Sequence, residues 1–190
     1  MTQRSRLDLL VRWEIDVIDR FLHEGVPFFE RRAKEAGGPE SEWLTPDGRL
    51  TEPQSLLRCR QLVLEFVLQY LNSLVDAILL ALLWRVREDP DPIEQARNQT
   101  LSRASIVRTL ESHYKVHFRF IRGWHIVEKL REESNALKHR AGLTLVPDEA
   151  LGLNQLFGVR PSVPEIEEDI GVIRDWLLAV ISATEGSGSA

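Results

Sequence analysis

Apolar positions along this chain recur with a helical period and almost nowhere alternate. Between Leu7 and Ala36, Leu10, Trp13, Val17, Phe21 and Phe28 follow one another at near-helical intervals, so the spacing predicts a helix, with Pro27 after Gly25 marking a kink or break. The stretch "AGGPESEWLTPDGRLTEPQ" predicts a loop with "TPDG" as a turn. Pro53 suits the first turn of a helix, with Thr51 or Glu52 near its cap, and a long central helix then runs to about Arg87, where "EDPDP" stops it. A third helix is expected from Ile93 to His113, broken near Thr100, where "TLSRAS" supplies candidate caps. A fourth is expected from about Lys115 to Arg140, with Gly142 as its carboxy-terminal cap. The pieces from 142 to 161 read as an extended or irregular connection. The closing helix begins near Ser162, carries acids in its first turn and presents Ile166, Ile170, Ile173, Leu177 and Ile181 on one stripe.

The expected fold is therefore all-α, a single-domain bundle of four to five helices over residues 1–185, with 186–190 as a flexible tail or cloning remnant. The central helix complicates this picture. Its stretch "LVLEFVLQYLNSLVDAILLALLW", Leu62 to Trp84, has the length of a membrane span. Glu65, Gln69, Asn72 and Asp76 interrupt it at spacings of four, three and four, which places them on one helical stripe. A carboxylate near the middle of a bilayer costs roughly 2.5 to 3.5 kcal/mol. The stripe thus favours a soluble core helix over an anchor, and no membrane partner is expected. The helix is also apolar nearly all round, more than four short helices readily cover, so a homodimer is expected.

Composition narrows the chemistry. The single Cys59 excludes an intrachain disulfide framework and a cysteine-based zinc site, and the charged amino terminus lacks the apolar run of a signal peptide, so a cytoplasmic location is expected. With two Tyr and one Met, little material is apparent for base stacking or for an adaptable Met-rich groove. The net charge of −5 hides an asymmetry: from Arg97 to Arg140, ten Lys and Arg face four Asp and Glu, a balance of +6, which leaves −11 for the remainder. Four of the five histidines, His113, His117, His125 and His139, lie in that basic segment. Such a segment makes a local anion-binding face on an acidic protein, or else it pairs with the acidic helices.

Within it, "LREESNALKHRAG" gathers Arg131, Asn135, Lys138, His139 and Arg140. With Leu130 at zero on a helical wheel, Ile126, Ser134, Leu137 and Ala141 fall within about 40° and form the buried stripe, while Arg131, Asn135 and His139 lie at roughly 100°, 140° and 180°. A polar face opposite an apolar stripe is what any surface helix displays. Asn and His are nonetheless middling helix formers, and helix propensity does not explain their choice over Glu, Lys or Ala. In "HYKVHF", His113 and His117 stand four apart near Glu111, a spacing that suits a metal on a helix, but without further ligands they read as ordinary paired histidines. No metal or cofactor is expected, and no Walker, dinucleotide, nucleophile-elbow or zincin motif is present.

The run "SNALKHRAG" resembles the RNxxxH motif of HEPN domains, small all-helical bundles that commonly dimerise and include many metal-independent ribonucleases of toxin, antiphage and CRISPR-associated systems. The resemblance implies Asn135 as the motif Asn and His139 as the motif His, with two copies of the motif facing each other across a dimer cleft. Where the family has Arg this chain has Ser134, and Arg131 is separated from His139 by seven residues. On that reading His139 and Asn135 are expected to be catalytic together with Arg131, the nearest upstream arginine, and Lys138, Arg140 and Arg122 are expected to hold RNA. His139 would act as base or acid, Asn135 would orient it or the phosphate, and the cations would stabilise developing charge. The implied function is an RNA-binding protein or ribonuclease of a bacterial defence or toxin-antitoxin type, with RNA, a second copy and an antitoxin or other protein as partners. The rival is a noncatalytic interaction module, an adaptor or subunit whose basic face binds an acidic partner.

Overall fold

The structure, a computed structural model, describes residues 3–38, 42, 44–86, 102–140 and 162–186. Among these residues are five α-helices and no strand: α1 (Gln3–Glu35), α2 (Glu52–Val86), α3 (Arg103–Tyr114), α4 (Trp124–Arg140) and α5 (Val163–Gly186), with a 3-10 turn at Phe118–Phe120. The protein is an all-α helical bundle. The start of the third helix expected at Ile93, the Gly142 cap, the 142–161 connection and residues 187–190 lie outside the described residues.

Local chemistry explains where the helices begin and end. Gly37 and Gly38 take positive φ angles of 125° and 77°, and the Gly38 N–H returns to the Ala33 carbonyl at 2.9 Å, which closes α1. Thr45 and Arg49 bond across the "TPDG" turn, N to O at 2.8 Å, and a lone antiparallel bridge joins Leu44 to Leu50. Ser102 caps α3 by accepting the Ser105 N–H at 3.2 Å. At α5, Ser162 and Glu165 form a reciprocal box: the Ser162 N–H donates to Glu165 Oε2 at 2.8 Å and Ser162 Oγ accepts from the Glu165 N–H at 3.4 Å.

Two expectations change. Of the kink or break expected at Pro27, the break does not occur, since α1 runs through it; the ring sits on the water-facing side, where the carbonyl that loses its partner can be solvated. The fourth helix starts at Trp124 rather than near Lys115. Lys115 adopts the left-handed conformation at φ 56° and ends α3, and the chain re-enters a helix only after Gly123 at φ 104°. A Cβ on Gly123 would stand 2.8 Å from Val172 Cγ1, so this close approach requires glycine.

The apolar stripe of α1 also has an unexpected orientation. The buried side consists of Val11, Ile15, Ile18, Leu22 and Val26, whereas the residues whose spacing marked the helix face outward, Trp13 with 65% and Val17 with 60% of their surface exposed. On α5 the expected stripe from Ile166 to Ile181 is buried throughout.

The chain divides into two compact units, Met1–Ile15 with Leu71–Lys129 and Asp169–Ala190, and Asp16–Tyr70 with Leu130–Glu168. In the first, the Arg103 side chain is only 4% exposed and spreads its guanidinium over α2: Nε to Asp76 Oδ1 at 2.8 Å, Nη2 to Asn72 Oδ1 at 2.6 Å, and Nη1 to the Val127 carbonyl at 3.4 Å. Lys129 Nζ reaches the buried Asp169 at 3.0 Å. Phe118 and Trp124 pack on the fully buried Trp176, with ring centroids 6.4 and 5.7 Å away. In the second unit, Arg58 Nη1 meets the buried Glu65 at 2.7 Å and Arg60 meets Glu30 at 2.6 Å. The polar stripe of α2 is thus engaged within the protein. By length and composition α2 is still apolar enough to cross a membrane, and 56% of its most apolar window is buried, which leaves a share of its side chains uncovered.

His23 links α1 to α5 in the second unit. Its Nδ1–H donates to the Asp19 carbonyl at 2.8 Å and its Nε2 lies 3.0 Å from Glu167 Oε1. Both ring nitrogens face acceptors, which favours the doubly protonated ring. The Asp19 backbone bond is the largest cause that raises the His23 pKa above the ordinary 6.5; burial opposes it next, and the Asp19 and Glu167 charges add to the rise.

Two stability experiments follow. Arg103→Ala leaves Asn72 without its donor and Asp76 without its counter-ion; since Asp76 is 41% exposed and can rehydrate, the loss should be about 3 kcal/mol in chemical denaturation, at the low end for a broken buried pair. The raised pKa of His23 means that its stabilising contribution is present in full below pH 6.5 and fades as pH rises through the folded-state value. Melting temperatures of wild type and His23→Ala should therefore differ most near about pH 5 and converge near about pH 9.

Candidate nucleic-acid interface

Of the stripe expected on α4, Ile126 is half-buried and Ala141 lies outside the described residues. Val127, Leu130, Ser134 and Leu137 are buried, while Arg131 is half-buried and engaged with a neighbour, and Asn135 is exposed. The backbone stays helical through Lys138, His139 and Arg140, whose side chains lie outside the described residues. Arg122 falls in the first compact unit and Arg131 to Arg140 in the second.

Ser134, at the position where the HEPN motif has Arg, has no surface exposure, and its hydroxyl has no hydrogen-bond partner among the described residues. It sits on the stripe of Leu130 and Leu137. An arginine there would carry its guanidinium into apolar surroundings, so the position does not supply a cation to the polar face.

The segment between α3 and α4 presents a different set of groups. Past the left-handed Lys115, the chain makes the 3-10 turn Phe118–Phe120. Glu111 Oε1 accepts the Phe118 N–H at 2.8 Å, the Phe118 ring is buried against Trp176, and Gly123 is wedged beside Val172. Those three attachments hold the backbone. What it projects is mostly cationic: Arg108, Lys115, Arg119 and Arg122 are exposed, as are His113, His117 and His125. Phe120 stands among them with 76% of its surface exposed, flanked by the Arg119 guanidinium at 5.2 Å and by the His117 ring at 5.6 Å, edge to face. The one acid of the segment, Glu111, is occupied with the backbone bond.

An exposed ring beside the Arg119 guanidinium is suited to stacking on a base while neighbouring Lys and Arg side chains hold phosphates. Counting tyrosines and methionines hid this surface, because the ring is a phenylalanine and a helix predicted through Lys115 gave it no special place. "HFRF" beside "IRGWH", alternating aromatic and basic residues before a glycine, was the available signal. His113 and His117 do not share a helix face, since α3 ends at Tyr114, and among the described residues no three His, Cys, Asp or Glu side chains cluster as metal ligands.

The chain matches no family model, no curated protein and no solved structure. The fold and the surface therefore define a class only, an all-α bundle bearing a basic, aromatic-tipped loop.

The buried Ser134 yields a direct test. Ser134→Ala removes an unsatisfied hydroxyl and should leave stability unchanged or raise it by up to about 1 kcal/mol. Ser134→Arg, which recreates the motif arginine, should cost about 3 kcal/mol or more, read as the shift in denaturation midpoint.

Proposed function

We propose that this chain is a HEPN-like RNA-binding protein that grips single-stranded RNA through the Lys115–Arg122 loop and does so without cutting it. The observation that carries the reading is Phe120, a large apolar ring 76% exposed between Arg119 and His117 on an anchored backbone. Water exposure of that ring is unfavourable for folding, and Arg119 above it lends a charge that a phosphate neighbour of a stacked base can use. Exposed Lys115 and Arg122 at the two ends of the loop extend the positive surface along a strand.

The noncatalytic form is favoured over the ribonuclease because the motif cation is replaced by the buried Ser134, so the chemistry implied for Asn135 and His139 has lost its nearest phosphate ligand. On this reading Asn135, exposed on α4, contacts RNA or a partner rather than orienting a base.

Binding of a short labelled single-stranded RNA, measured by fluorescence anisotropy over a series of salt concentrations, tests the reading. Phe120→Ala should weaken binding by about 1 to 3 kcal/mol with an unchanged salt slope. Arg122→Ala should reduce the slope by about 0.7, the loss of one phosphate contact on a single strand. An unaffected affinity in both variants refutes the loop as the interface, and RNA cleavage that Asn135→Ala and His139→Ala abolish would restore the ribonuclease.

A further inference from the structure

Apart from the basic loop, the most conspicuous surface of the protein is apolar. In the second compact unit, Val17, Phe21 and Phe28 on α1 and Leu62, Phe66 and Tyr70 on α2 are each 36–60% exposed. Three of them form one run of rings: Phe21 and Phe66 meet edge to face at 5.5 Å, and Phe66 and Tyr70 lie 5.8 Å apart. Between the helices runs an open groove of about 580 Å³, with Gly25, Phe29, Cys59 and Val63 among its walls. At Gly25 the two helices approach closely: a Cβ there would lie 3.3 Å from Val63 Cγ1.

We infer that this face is where a second copy of the chain docks, forming a two-fold symmetric dimer. Two features select that occupant. The first is area. Taking about 200 Å² for an aromatic side chain, the six residues expose roughly 500 Å², which is at the upper end of patches found on monomers. Doubled by symmetry they remove roughly 1,000 Å² before the groove walls are counted, which reaches the threshold for a specific interface. The second is shape. A two-fold interface brings a patch against itself, so the patch must carry both the projection and the recess that receives it. Here protruding Phe66 and Phe21 flank the very groove that an equivalent ring of a partner copy would fill. The inference rests on α1 and α2 alone and is independent of RNA binding; it also differs from the motif-against-motif dimer that the HEPN resemblance implies.

Charge at the centre of such an interface is strongly unfavourable, whereas the same substitution on a water-exposed position of a monomer is tolerated. Light scattering behind a sizing column, on the full chain at micromolar concentration, should give the mass of a dimer. Phe66→Glu and Phe21→Glu should each weaken dimerisation by at least about 30-fold, with far-ultraviolet circular dichroism and melting transition close to those of wild type at monomeric dilution. Cys59 supplies a second readout that does not depend on the variants: it lines the groove, so its reaction with a maleimide should be about tenfold slower in the wild-type dimer than on dilution to the monomer. A wild type that stays monomeric at every concentration overturns the inference, as does a dimer that both substitutions leave intact. A monomer whose Cys59 is protected at all dilutions, or one that carries an apolar small molecule in native mass spectrometry, assigns the groove to another occupant and overturns it equally.

Discussion

One guanidinium organises the first compact unit. Helix α2 is too apolar to be left in water and too polar on one stripe to be buried bare, and Arg103 from α3 resolves the conflict by covering Asn72 and Asp76 together while donating to the Val127 carbonyl at the start of α4. The planar fork of arginine suits this three-way attachment, which a lysine could not reproduce. Once α3 is fixed on α2 in this way, its carboxy-terminal end is placed, and with it the Lys115 turn, the anchored Phe118 and the exposed Phe120. In the second unit Arg58 serves Glu65 in the same manner from within α2 itself. A buried and a half-buried arginine thus allow a helix of membrane-like hydropathy to carry a polar stripe inside a helical bundle.

The helices were legible because each carries its own period and caps: Ser102 and Ser162 announce α3 and α5, Pro53 announces α2, and the isoleucine stripe of α5 is buried as spaced. The facing of α1 was not legible. That helix has apolar residues on two sides, and periodicity alone cannot say which side a neighbour covers; the conspicuous aromatics turned out to be the outer ones. The start of α4 was missed for a different reason. Nothing in "YKVHF" forbids a helix, and the left-handed Lys115 is imposed by tertiary packing of Phe118 and the Glu111 bond rather than by a glycine. Of the candidate site, the sequence spacing places Asn135 outward and Ser134 inward, whereas Phe120 depends on a turn that the pattern did not reveal.

Taken together, these features give the protein two surfaces of opposite character. One is a rigid cationic loop tipped by a phenylalanine, held by buried rings and a carboxylate. The other is an apolar, grooved face on α1 and α2 suited to self-association.

The central claim, that the Lys115–Arg122 loop is an RNA-contacting surface, is most directly tested by photo-crosslinking. A single-stranded RNA carrying 4-thiouridine, irradiated with the full chain and mapped by mass spectrometry after trypsin, should leave its adduct on the peptide Phe120–Arg122, which holds the exposed ring. An adduct confined to α4 around Asn135, or no adduct under conditions where the RNA is bound, would contradict it.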